Sequence, residues 1–92
     1  MKHLAIKISG KVQGVFFRAS TKQKAEEINI KGFVRNEPDG SVYCEAEGTE
    51  DNLKLFVEWC KSGPRLAKVD HCIVNEDAMK GFKEFTQTGK WI

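Results

Sequence analysis

Gly10 and Gly14 bracket the first half of GKVQGVFFR, a stretch that closes on Arg18. Upstream, Leu4, Ile6 and Ile8 alternate with His3, Lys7 and Ser9 as in a half-buried strand, whereas downstream the chain turns to helix-favouring Lys, Gln, Ala and Glu. The stretch therefore reads as a strand-to-helix turn. Its glycines allow a tight bend and a close approach of backbone to ligand, and the helix start offers unpaired N–H groups and a positive dipole end. A guanidinium at that helix mouth is disfavoured by the dipole unless an anion lies between them. The chemistry indicated is binding of a phosphate or carboxylate. Neither the nucleotide-binding P-loop pattern nor GxGxxG is present, and turns of this composition also occur without a ligand, so the stretch alone leaves both readings open. Among Val12, Val15, Phe16 and Phe17, at least one is expected to plug the core beneath the loop.

The elements that must hold this turn follow from periodicity. A first strand is expected around Leu4 to Ser9. Phe17, Thr21, Ala25 and Ile28 then recur at helical spacing, with Lys22, Lys24, Glu26 and Glu27 on the solvent side, which predicts a helix from about Arg18 to Asn29. Gly32 to Asn36 and Ser41 to Glu47 flank Glu37-Pro38-Asp39-Gly40 as a hairpin. Thr49 is a good N-cap for a second helix with Leu53, Phe56, Val57 and Cys60 as its apolar stripe, ending at Lys61-Ser62-Gly63-Pro64. Val69 to Val74 alternates as a further strand, and Phe82 to Thr86 is a candidate fifth.

The order β-α-β-β-α-β predicts an α+β fold. The expected form is a ferredoxin-like split β-α-β sandwich, with an antiparallel sheet of four to five strands and two helices on one face. A crossover joining the first two strands makes them parallel, so that both end on one edge of the sheet and Asn36 lies beside the cradle.

The sequence has 92 residues, which points to a single domain spanning 1–92. Its 15 Lys and Arg against 13 Asp and Glu give a formal charge of +2, too mild for a nucleic-acid binder or a basic membrane anchor. Cys44, Cys60 and Cys72 are odd in number and widely spaced, which fits reduced thiols packed as small apolar residues. No apolar run reaches membrane-spanning length, and the N-terminal apolar segment is too short for a secretory signal. A cytoplasmic location is expected.

GKVQGVFFR followed by GFVRNEPDGSV resembles the two signatures of the acylphosphatase family: a glycine-bounded VQGV loop ending in Arg, and a later G-x-V-x-N-x-x-D-G-x-V segment. GPRLAKVD is also similar to the family's approach to its fourth strand, so the likeness runs from Leu4 to about Val74. The resemblance implies that Arg18 binds the substrate phosphoryl group, with the backbone N–H groups of Val15, Phe16, Phe17 and Arg18 completing the cradle. It also implies that Asn36 holds the attacking water. The implied reaction is hydrolysis of the carboxyl–phosphate bond of an acyl phosphate without metal, cofactor or phosphoenzyme. The residues are consistent with it: the cradle contains no Cys, His or Asp to act as covalent nucleophile or strong general acid, so the leaving group must be an easy one. A carboxylate departs without being protonated.

Two positions depart from the family pattern. Phe16 stands where glycine or another small residue is frequent, and Lys11 where arginine is common. Phe16 is expected to pack on the domain, the alternative being that it narrows the cradle entrance or shifts substrate preference. The C-terminal FKEFTQTGKWI resembles the family's aromatic-ended last strand only loosely.

Other functions compete for such a fold. An RNA-binding sheet needs paired aromatics, whereas the third strand offers Tyr43 flanked by Glu45 and Glu47, which repel a phosphate backbone. His71 and Cys72 are adjacent on a strand and point to opposite faces, so they do not form a metal site. His3 reads as structural. The stronger alternative is a non-catalytic anion-sensing or carbamoyl-phosphate-handling module. Expected partners are an acyl phosphate substrate and inorganic phosphate as product or inhibitor, with no nucleic acid, no membrane and a monomeric chain.

Overall fold

A computed structural model of the protein describes residues 1–88. The elements run β1 (Lys2–Lys11), α1 (Phe17–Glu27), β2 (Lys31–Asn36), β3 (Val42–Gly48), α2 (Glu50–Ser62), β4 (Lys68–Asp77) and β5 (Phe85–Gln87). The strands form one sheet in the order β4-β1-β3-β2-β5. Strand alternation sends Ile6, Ile8, Val34, Val42, Cys44 and Ala46 to one face, where they bury against Phe17 and Ala25 of α1 and Leu53, Phe56 and Cys60 of α2. Both helices thus cover the same face, as the element order predicts. Cys44 and Cys60 are buried free thiols and Cys72 is partly buried, and burial in apolar surroundings raises all three thiol pKa values.

Helix α1 opens at Phe17 and closes at Glu27, before Asn29. Asn29 adopts φ 57°, and the Ile30 N–H donates to the Ala25 carbonyl at 2.8 Å, an ending that satisfies a last-turn carbonyl. Helix α2 is capped as its sequence predicts, with Thr49 Oγ1 accepting the Asn52 N–H at 3.2 Å. Gly10 serves a purpose other than ligand approach. It sits where the β1–β4 register shifts, and a Cβ there would lie 2.2 Å from the Lys68 carbonyl oxygen, so glycine lets the edge strand close over the end of β1.

The sheet is mixed rather than wholly antiparallel: β5 runs parallel to β2, pairing Phe85 with Gly32 and Gln87 with Val34. The reason lies in the register. Asp77, His3, Glu47 and Lys31 lie in one row across β4, β1, β3 and β2. Strand β4 therefore ends at the sheet edge where β2 begins, and the chain crosses along that edge to enter β5 beside the start of β2.

The crossing is anchored on Glu47, which is 2% exposed. Its carboxylate accepts the backbone N–H groups of Lys80, Gly81 and Phe82 and bonds His3 Nδ1 at 2.6 Å. The Phe82 ring stacks on the buried His3 imidazole, their centroids 5.8 Å apart. Lys80 Nζ lies 2.8 Å from Glu45 Oε1. Burial opposes ionisation of Glu47. The Lys80 N–H, the His3 imidazole and the Phe82 N–H outweigh it and hold the carboxyl below its ordinary value. Phe82 is thus part of the crossing, and the fifth strand is shorter than the expected span. Strand β4 is longer, because main-chain pairing with β1 continues through Asn75 to Asp77, beyond the apolar alternation.

Candidate active site

The loop between β1 and α1 alternates buried and exposed side chains. Val12, Val15 and Phe17 are buried and seal the core, while Phe16 is 76% exposed. Phe16 does not pack on the domain. It is the N-cap of α1, with φ 62° and ψ 24°, and Gly14 two residues earlier has φ 73°. A bulky residue in the left-handed region is strained, and such strain concentrates at functional loops. The strained residue sits at the start of a helix, where backbone N–H groups lack intrahelical acceptors. The first intrahelical bond of α1 is Ser20 N–H to the Phe16 carbonyl, at 3.0 Å, so the N–H groups ahead of it have no helical acceptor.

The charges around the loop suit an anion. The first turn of α1 carries no acidic residue, whereas that of α2 carries Glu50 and Asp51. Arg18 stands in that bare first turn and pairs with no carboxylate among the described residues. Its Nη1 donates to the Thr88 carbonyl instead. Thr88 is itself fixed to β2, its N–H and Oγ1 both donating to the Val34 carbonyl, at 3.0 and 3.1 Å. The end of β5 thus holds one edge of the guanidinium and leaves the remaining donors for an anion.

Asn36 ends β2 and is 8% exposed. Its Oδ1 is buried and has no hydrogen-bond partner among the described residues. A buried acceptor left without a donor is costly, and it marks a place where water or a ligand would bind. Arg18 and Asn36 line one cavity of about 230 Å³, together with Gly14, Phe16, Phe17 and Gln87. No carboxylate, imidazole or thiol is among the residues that line it.

The turn after Asn36 is built to be rigid. Asp39 accepts the Ser41 Oγ–H at 2.6 Å and the Ser41 N–H at 3.0 Å, and Lys7 Nζ lies 3.0 Å from it. The Ser41 hydroxyl, the Ser41 N–H and Lys7 keep its carboxyl well below the usual range. Gln13 then joins this turn to the loop, donating from Nε2 to the carbonyls of Glu37 at 2.7 Å and Ser41 at 3.0 Å. Gln13, Gln87 and Thr88 are site residues that the sequence reasoning above misses. The signal for Gln13 was present, since it is the one polar side chain in the VQGV run. No pattern marked Gln87 or Thr88, which reach the site only through the parallel pairing of β5.

The acylphosphatase family model matches residues 4–87, nearly the whole described chain. The chain belongs to the acylphosphatase family. An acylphosphatase of Marinobacter nauticus is 50% identical over 82 residues, covering 88% of this chain and 89% of that one. The crystal structure of acylphosphatase from Bacillus subtilis superposes with a TM-score of 0.93 at 36% identity, covering 96% of this chain and 99% of that one. Full-length HypF in its phosphate- and nucleotide-bound form contains a region similar to 98% of this chain, with a TM-score of 0.90 and 34% identity, which makes up 12% of that larger protein. Both the expected family and the two-helix sandwich are therefore shown.

Proposed function

We propose that this acylphosphatase family member hydrolyses the carboxyl–phosphate bond of acyl phosphates by direct attack of water on phosphorus. Arg18 and the backbone N–H groups of Val15, Phe16, Phe17 and Arg18 hold the phosphoryl oxygens. Asn36 accepts a hydrogen bond from the attacking water and aims its lone pair. The observation that carries this reading is that Asn36, whose buried Oδ1 has no hydrogen-bond partner among the described residues, lines the same cavity as Arg18.

Phosphoryl transfer passes through a loose transition state, so the principal demands are charge stabilisation and in-line placement of the nucleophile. As the water oxygen bonds to phosphorus, the bond from phosphorus to the acyl oxygen breaks and its electron pair leaves with the carboxylate. That group needs no proton. An Asn amide is no base at neutral pH, so the water's proton passes to a phosphoryl oxygen, and the products are a carboxylate and inorganic phosphate. Arg18 and the loop amides supply the positive field that a metal ion supplies in other phosphoryl-transfer sites, so the reaction proceeds without metal or cofactor. In this reading the chain works as one domain, as a cytoplasmic monomer, without nucleic-acid or membrane partners. No helix among the described residues is long and apolar enough to cross a membrane.

The test is hydrolysis of benzoyl phosphate in the presence of chelator by wild type and Arg18→Ala. Turnover by wild type with a loss of about a hundredfold to a thousandfold in the variant supports the reading. Folded wild-type protein that binds inorganic phosphate but turns nothing over would favour the anion-binding module instead. The HypF region, embedded in a chain many times longer, shows that this fold also occurs as one part of a larger protein.

A further inference from the structure

Beyond the phosphate cavity lies a second one of about 310 Å³, lined by Val15, Phe16, Ser20, Pro64, Arg65 and Leu66. Phe16 is the one residue that lines both cavities. Asn36 and Gln87 belong only to the phosphate side, and the turn after α2, Pro64 to Leu66, only to the other. Two exposed large apolar side chains, Phe16 at 76% and Leu66 at 62%, both line this cavity.

The arrangement is built rather than incidental. Gly63 ends α2 with φ 67°, and a Cβ there would lie 2.5 Å from Phe17 Cε2. The absence of a side chain lets the turn dock against the start of α1. The Ala67 N–H closes that turn on the Pro64 carbonyl at 3.0 Å. Leu66 is thereby held near a loop whose Phe16 occupies a strained backbone conformation while exposing its ring to solvent. An exposed ring on a strained backbone costs stability and gains no core packing, which calls for a use outside the core.

We propose that Phe16 and Leu66 form the acyl subsite and select acyl phosphates with an aromatic or bulky apolar acyl group over those with a short one. This rests on the phosphoryl group being held in the loop as described above. In-line displacement requires the acyl oxygen to leave from the side of phosphorus opposite the water that Asn36 orients. The acyl body then passes Phe16, the wall common to both cavities, and lies on the apolar shelf toward Leu66. Each apolar contact made there lowers KM for a bulky acyl group and does nothing for an acetyl group, which ends before the shelf.

The test compares benzoyl phosphate with acetyl phosphate for wild type, Leu66→Ser and Phe16→Asn. Leu66 is exposed and outside the loop, so its replacement leaves the fold and the phosphate site in place. Asn tolerates the left-handed backbone at position 16. Leu66→Ser is expected to lower kcat/KM for benzoyl phosphate by about fivefold to tenfold, mostly through KM, and to leave acetyl phosphate within about twofold. Phe16→Asn is expected to lower the benzoyl-to-acetyl ratio of kcat/KM by a similar factor. A proportional fall for both substrates in both variants, or no change in either, overturns the proposal.

Binding of benzoylphosphonate and acetylphosphonate, which lack the scissile bond, reads the shelf separately from turnover. Tighter binding of the benzoyl compound, lost in Leu66→Ser, supports the subsite even if wild type proves inactive. Equal binding of the two overturns it even if wild type is active.

Discussion

Gln13 donates from its side-chain amide to the carbonyl of Glu37 at 2.7 Å, tying the loop that carries Arg18 to the turn that follows Asn36. The same nitrogen reaches the Ser41 carbonyl at 3.0 Å, so one side chain spans the mouth of the hairpin. Two groups from different elements, Arg18 on α1 and Asn36 on β2, are thereby set relative to each other by a residue that does not line their cavity. This assigns Gln13, as an expectation, the part of a positioning residue.

Replacing Gln13 by Ala is expected to lower kcat about tenfold while changing the inhibition constant of inorganic phosphate less than about twofold, since a small displacement of the water-holding group affects attack more than binding. Stability should fall by about 1–2 kcal/mol for two hydrogen bonds lost. Steady-state kinetics with phosphate as inhibitor, beside urea unfolding, separates the two effects. An unchanged kcat would show that the Asp39–Ser41 bonds alone hold Asn36 in place.

Glu47 is expected to contribute to stability in acid. Its folded-state pKa lies below its ordinary value near 4.5, so the ionised carboxylate stabilises the fold. That contribution is complete above about pH 4.5 and is lost as pH falls through the lowered folded-state value. Glu45, also held below its ordinary value, adds in the same direction: burial opposes its ionisation, and Lys80, Tyr43 and His3 outweigh it. Glu47→Gln is expected to cost about 3–5 kcal/mol at pH 7, because three backbone donors and an imidazole lose a charged acceptor in a buried site. The loss should shrink on going to pH 3. Urea midpoints of wild type and variant between pH 7 and 3 measure this, and parallel curves would contradict it.

How much of this was legible in the sequence differs from element to element. The helices were plain because Phe17, Thr21 and Ala25 in one, and Leu53, Phe56 and Cys60 in the other, repeat at helical spacing and are buried together. The turn around Asp39 was equally plain from its Pro-Asp-Gly chemistry. The family resemblance rested on residues that the fold does place together, since Arg18 and Asn36 share a cavity despite their separation in sequence. The crossing to β5 was not legible. It is held by main-chain N–H groups on the Glu47 carboxylate and by Phe82 on His3, contacts that leave no periodic pattern. Glu45 and Glu47, which read as charges on an open strand face, are buried beneath that segment. The direction of β5 follows from this crossing and is equally hidden in the sequence. The exposure of Phe16 was hidden for a related reason, because apolar residues in a loop do not reveal which of them turns outward. Residues 89–92 of the loosely matching C-terminal stretch lie outside the described residues.

Arg18 is the one charged side chain among the residues that line the cavity it shares with Asn36. With no protein group to serve as general acid or base, kcat is expected to stay constant within about twofold between about pH 7 and 9, where the substrate phosphoryl group is fully ionised. A pH–rate profile with saturating benzoyl phosphate checks this. A limb near pH 7 to 8 would require a titrating catalytic group that the proposed site lacks.

Asn36 is proposed to orient the water and not to bind the phosphate, and Asn36→Ala separates the two roles. Single-turnover hydrolysis of benzoyl phosphate should fall at least about a hundredfold. Titration with inorganic phosphate should give a dissociation constant within about threefold of wild type, because Arg18 and the loop amides remain. Loss of phosphate binding with the rate of bound substrate preserved would instead place Asn36 among the phosphate ligands.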